Sequence, residues 1–191
     1  MRGLPLLALA LLLASCVSGP RQEQPPVDPA AQRRQLQRLD HFEFEGRLAA
    51  AVGGEGFNAD LNWQQQGARS TVGLRAPLGF GSATIVSEGD GFSFTSSRGD
   101  HLEGAAALAE LERRIGFAAP LAALRFWLLG VPDPSQPAAE TLNELGQLAL
   151  LEQDDWRIEY LEYRGQMPRR LMLTREQIRL RLVLNWSKPR R

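Results

Sequence analysis

Apolar and polar residues alternate with a period of two over most of this chain, and the alternation breaks off once, near the middle. Phe42, Phe44, Gly46 and Leu48 alternate with Glu43, Glu45 and Arg47; Phe57, Ala59, Leu61 and Trp63 alternate with Asn58, Asp60 and Asn62. Successive side chains of a strand point to opposite faces, so each run predicts a half-buried strand. Gly53-Gly54-Glu55-Gly56 between them predicts a turn, which makes the pair a hairpin. Shorter runs begin at Val72 and Leu74 and recur over 83–86 and 91–95, the last two separated by Glu88-Gly89-Asp90, and a weaker one follows over 98–102.

The period then changes. Residues 105–115 are rich in Ala, Leu and Glu, with Leu108, Leu111 and Ile115 at helical spacing and Gly116 as a stop. Pro120 suits the first turn of a second helix reaching to about residue 129, where Gly130 and Pro132 end it. A loop over 133–137 precedes a return of strands after Leu145. Trp156, Ile158 and Tyr160 form one, Leu171 and Leu173 a shorter one after a turn over 165–168, and Ile178, Leu180, Leu182 and Leu184 the clearest of all. Strands, two helices, strands, all at hairpin spacing, predict a mainly β fold with an α lid. The sheet is antiparallel and has about 10–11 strands, enough to curl. The short helices over about 104–130 cover one mouth or face of it. The concave wall of such a sheet is either filled by its own side chains or left as an apolar cavity.

The start of the chain has a different grammar. Arg2, an apolar run over 4–13 and small residues lead to Cys16, the layout of a secretory signal over 1–15. The run is half the roughly 20 residues that a membrane-spanning helix needs. Leu13-Ala14-Ser15-Cys16 resembles the bacterial lipobox. That resemblance implies that Cys16 is diacylated on sulfur, becomes the new N-terminus and is then N-acylated. Val17 rather than Asp in the next position favours, by likeness to the known sorting signal, export to the outer membrane. Pro20, Pro25, Pro26 and Pro29 mark 16–31 as an extended, lipidated tether, and 32–39 as a short helix with Leu36 and Leu39 on one face. Residues 32–191 then form one domain.

Composition narrows the chemistry. The 22 basic and 22 acidic residues balance, so no strong field collects nucleic acid. Cys16 is the only cysteine, so no internal disulfide forms and packing carries the stability. His41 and His101 read as a surface residue and a turn residue; no nucleophile elbow, phosphate loop or metal-ligand spacing accompanies them. The expectation is therefore no catalytic residue, no metal and no cofactor. Ala76-Pro77-Leu78-Gly79-Phe80-Gly81 is the sharper signal: a Pro/Gly turn between two strands that carries two large apolar side chains. Leu78 and Phe80 either fold back into the core or stand out toward a bilayer or an acyl chain.

With these residues assembled, the chain resembles the LolB family. The likeness rests on the lipobox, on Gly46 with Trp63-Gln64-Gln65 downstream, on Pro77-Leu78-Gly79, and on Pro120-Leu121 through Leu124-Arg125-Phe126-Trp127-Leu128-Leu129-Gly130-Val131-Pro132. It implies a half-open barrel with a helical lid, anchored by lipid in the outer membrane and facing the periplasm. Its apolar cavity would accept the acyl chains of lipoprotein cargo from the periplasmic carrier LolA and pass them to outer-membrane lipid. A monomer suffices for that exchange. The candidates for the acyl-chain cavity are Phe44, Leu61, Trp63, Leu74, Ile85, Leu124, Trp127, Leu128, Trp156 and Ile158. The loop Pro77, Leu78, Gly79 and Phe80 inherits the membrane-insertion role, with Leu78 as the family's protruding leucine. Phe80-Gly81 replaces the polar pair found elsewhere and enlarges the tip. The alternative is an envelope lipoprotein that binds another apolar ligand or serves structurally.

Overall fold

The computed structural model describes residues 28–77 and 81–187. Helix α1 (Pro29–Gln37) comes first, and it begins three residues earlier than the prolines implied. Pro29 occupies the first helical position, where no N–H is needed, and the Asp28 carboxylate accepts the Ala30 N–H at 2.9 Å. Six strands follow: β1 (His41–Val52), β2 (Glu55–Gln66), β3 (Arg69–Arg75), β4 (Ser82–Glu88), β5 (Gly91–Ser96) and β6 (His101–Glu103). Helices α2 (Gly104–Ile115) and α3 (Leu121–Trp127) come next, then β7 (Ala139–Leu142), β8 (Leu148–Gln153), β9 (Trp156–Arg164), β10 (Met167–Arg175) and β11 (Ile178–Trp186).

The described strands form one eleven-stranded sheet in the order β6-β5-β4-β3-β2-β1-β11-β10-β9-β8-β7. Every pairing is antiparallel. The chain thus runs outward from the centre along one arm, crosses as helices, and returns along the other arm. The two arms meet where β1 pairs β11, with Leu48 opposite Leu182 and Gly46 opposite Leu184. The edges β6 and β7 do not pair with each other, so the curled barrel stays open and α2 and α3 cover its inner face. Alternation does the sorting. In β11 Leu180, Leu182 and Leu184 are buried while the alternate residues Arg179 and Arg181 are exposed.

Other elements depart from the sequence reading as well. Strand β7 falls in a stretch to which the sequence reading assigned no element, because its four residues are all exposed and show no alternation; backbone pairing with β8 recruits it. The turn before β10 is shorter than 165–168. Strand resumes at Met167, and Pro168 sits at a register shift against β9, where its missing N–H is tolerated. The first hairpin turn is the pair Gly53-Gly54, both at positive φ, rather than four residues.

Gly46 is fixed by the central seam. A Cβ built there would lie 2.6 Å from the Val183 carbonyl oxygen, a backbone atom of β11. Gly46→Ala is therefore expected to lower stability by about 1–3 kcal/mol through overpacking, read as a fall in the urea midpoint. An unchanged midpoint would mean that the seam yields without cost.

Candidate functional site

Between the sheet and the helices lies a cavity of about 80 Å³ lined only by apolar residues. Leu48, Phe57, Leu61, Trp63, Val72, Leu74 and Ile85 line it from β1 to β4, and Leu180 and Leu182 from β11. The roof consists of Leu111 and Ile115 of α2, Phe117 and Ala119 of the link, and Leu121, Leu124 and Leu128. Six of the ten residues expected to form the cavity line it, Leu61, Trp63, Leu74 and Ile85 from the sheet and Leu124 and Leu128 from the roof. Phe44, Trp127, Trp156 and Ile158 are buried but do not line it. Phe44 stacks on Trp63 at 6.2 Å and meets Trp186 at 4.9 Å; Trp156 packs between Phe117 and Trp127. Leu111, Ile115, Leu180 and Leu182 escaped the sequence list, although helical spacing and strand alternation marked all four as inward-facing.

The roof is fastened unequally. At the C-terminal end of α3, Trp127, Leu128 and Leu129 are at most 1% exposed. Gln153 of β8 locks this end: its Oε1 accepts the Trp127 Nε1–H at 2.7 Å and the Asp133 N–H at 2.9 Å. Its Nε2 donates to the carbonyls of Asp133 and Gln136, both at 2.9 Å. The Tyr160 hydroxyl donates to the Trp127 carbonyl at 2.9 Å, and burial pushes that phenol well above its ordinary range. Gly130, at φ 77°, closes α3: its N–H reaches the Trp127 carbonyl, while the Val131 N–H reaches the Phe126 carbonyl. A Cβ at Gly130 would stand 3.0 Å from Pro168 and 3.1 Å from the Tyr163 hydroxyl, so glycine is required twice over.

Helix α2 is held more lightly. It is bounded by Gly104 (φ 56°) and Gly116 (φ 85°), and buries only Ala107 and Leu111. Arg114 ties it to the β5–β6 turn: its guanidinium donates to Asp100 at 2.8 Å and to Glu110 at 2.6 Å, and lies over the Phe94 ring. Arg113 meets Glu110 with two further bonds. Hydrogen bonds from Arg113 and then Arg114 hold the Glu110 carboxyl down at about 2. The Asp100 carboxyl is lowered as well, chiefly by the Ser96 hydroxyl and then by Arg114.

A second polar knot stiffens the wall. Gln65, 1% exposed, accepts from Trp63 Nε1 and from the Ser70 hydroxyl, and donates to the Gly67 carbonyl. It tethers the Trp63 ring beside the cavity and accounts for the second glutamine of the Trp-Gln-Gln run. At the rim, the Ala76 N–H donates to the Gly81 carbonyl at 2.9 Å, so the β3–β4 connection leaves and re-enters the sheet at one point. Pro77 is exposed there. Cys16, Leu78, Gly79 and Phe80, together with the expected signal over 1–15 and nearly all of the tether, lie outside the described residues. His41 and His101 are exposed at the starts of β1 and β6. Among the described residues no cluster of His, Cys, Asp and Glu is placed to hold a metal ion, and no helix is long and apolar enough to cross a membrane.

An open antiparallel sheet with a wholly apolar cavity under a short helical roof defines the class: a lidded half-barrel. The family model for outer membrane lipoprotein LolB matches residues 40–186. The outer-membrane lipoprotein LolB of Nitrosococcus oceani is 32% identical over 189 residues, covering 94% of both chains. Its namesakes in Thiobacillus denitrificans and Stutzerimonas stutzeri are 34% and 29% identical, over 96% and 95% of this chain and 96% and 93% of theirs. The chain belongs to the LolB family of outer-membrane lipoproteins, receptors that act in lipoprotein localisation.

Gln153→Leu removes the partner of three buried polar groups and of the part-buried Gln136 carbonyl at once. With about 1–3 kcal/mol for each group left unpaired, a loss of several kcal/mol is expected, seen in urea unfolding; a loss below about 1 kcal/mol would mean that water replaces the amide. The Glu110 pairs carry a pH signature. Because the folded carboxyl titrates near 2, below its ordinary 4.5, its contribution is complete above 4.5 and vanishes as pH falls toward 2. The stability gap between the wild type and Glu110→Gln should therefore shrink over that window. A gap independent of pH would contradict the pairing.

Proposed function

We propose that this chain accepts acylated lipoproteins from the periplasmic carrier LolA and inserts them into the outer membrane, where lipid on Cys16 holds it facing the periplasm. The supporting observation is the apolar cavity under the α2–α3 roof. A lipoprotein anchor in water exposes three hydrocarbon chains. At about 0.8 kcal/mol per CH₂, sheltering them is worth tens of kcal/mol, so the chains must pass from one apolar enclosure to the next. Wall and roof contribute only apolar side chains, so hydrocarbon meets no polar group that would lose its partner on contact.

At about 80 Å³ the cavity is far smaller than the roughly 300–1,000 Å³ of a typical ligand pocket. This is the closed state. Opening falls to α2, which turns on Gly104 and Gly116, while Gln153 and Tyr160 keep the end of α3 in place. Ile115, Phe117 and Leu121 move aside and acyl chains take their positions against Leu61, Trp63 and Ile85. No nucleotide drives the cycle; the anchor moves downhill from carrier to receptor to bilayer. Leu78, which with Phe80 belongs to the connection between β3 and β4, enters the lipid and loosens its packing for delivery. A single copy is enough for each exchange.

Transfer of an acylated cargo from purified carrier to this chain, then to liposomes, separates the steps. Leu124→Glu puts a carboxylate on the apolar wall and should cut acceptance at least tenfold. Leu78→Glu should leave acceptance intact and stop insertion. Normal acceptance by the first variant would remove the cavity from the mechanism, and normal insertion by the second would remove Leu78.

A further inference from the structure

A second concavity opens beside the β3–β4 loop. It measures about 410 Å³ and runs from Phe57 and Leu74, past the paired ends of the loop at Ala76 and Gly81, to Arg98, Arg113 and Arg114. Phe57 and Leu74 also line the cavity under the roof, so the two spaces share one apolar wall. The outer end is cationic. Arg98 projects from the β5–β6 turn, is exposed, and forms no ion pair or side-chain hydrogen bond among the described residues. The Arg113 side chain is 68% exposed, although two of its donors bind Glu110. Three guanidinium groups face two carboxylates, Glu110 and Asp100, which leaves the end positive.

We propose that this groove is a binding site for a single phospholipid, with the headgroup phosphate on Arg98 and Arg113 and an acyl chain along Phe57 and Leu74 toward the cavity. The inference rests on the membrane-delivery reading above. Guanidinium forks match phosphate oxygens in charge and geometry, and an amphiphile is the ligand class that needs a cation and a greasy wall within one groove. A free anion has no use for Phe57 and Leu74, and a neutral fatty chain has none for Arg98. A phospholipid seated here sets the arginines at headgroup depth. It also places the shared wall in line with the acyl region, giving cargo chains a continuous apolar path past the loop.

Native mass spectrometry of the full, lipidated chain in detergent tests the site. The probes are dioleoylphosphatidylglycerol, dioleoylglycerol with the same chains and no phosphate, and inorganic phosphate. The phospholipid should be retained at least tenfold better than dioleoylglycerol. Arg98→Gln with Arg113→Gln should erase most of that advantage without changing dioleoylglycerol retention. Arg157→Gln with Arg169→Gln, on the other arm, should leave it intact. Equal retention of the two lipids, indifference to the Arg98 and Arg113 changes, or displacement of the phospholipid by millimolar inorganic phosphate would each overturn the proposal. Cargo transfer measured on the same preparations keeps the two readings apart. A chain that delivers cargo but ignores the phosphate loses only this site; one that discriminates between the lipids but delivers nothing loses only the delivery function.

Discussion

An apolar sheet face must be covered, and a sheet that does not close on itself cannot cover its own. That constraint shapes the molecule. Edges β6 and β7 stand apart, so the inner wall of the half-barrel is exposed along its length unless another element lies across it. Among the described residues it is the crossing between the two arms that lies there, and that crossing is helical and carries Leu111, Ile115, Leu121 and Leu124 inward. The roof is thus a topological necessity first, and α2 buries only Ala107 and Leu111 beneath it. Were the edges paired, the wall would be closed by backbone hydrogen bonds and would need no such cover.

The roof's two halves divide the work by chemistry. The end of α3 is held by directional bonds from Gln153 and Tyr160 that are costly to break in a dry interior. Helix α2 is held by a few apolar side chains, Ala107, Leu111 and Ile115, and by ion pairs at the surface, which contribute little. One short segment thus joins a part fastened by buried directional bonds to a part fastened by fewer buried groups.

Much of this was legible because periodicity reports which way a side chain faces. The strands around Phe44, Trp63, Ile158 and Leu182, the helix carrying Leu111 and Ile115, and the glycine stops at Gly116 and Gly130 all follow from spacing and backbone chemistry. Strand β7 was not legible, since Ala139–Leu142 has both faces in solvent and owes its shape to a neighbour's backbone. Gln153 was hidden for a related reason. A lone amide at the end of an apolar run looks like surface until the groups converging on it are known. Periodicity also says that Trp127, Trp156, Phe44 and Ile158 point inward, but not that they fill the core beside the cavity rather than border it. That distinction depends on the curl of the sheet and on the path of α3.

The pairing of β1 with β11 has a consequence for how the chain reaches this state. Each arm is a meander whose neighbours are close in sequence, so either can assemble from local contacts. The seam joins segments from opposite ends of the domain, and loop-closure entropy makes it the most expensive register to bring together. Until β11 arrives, β1 is an unprotected edge twelve residues long. During export the half-finished protein therefore offers other chains a sticky strand, a vulnerability that ends only when its last strand docks.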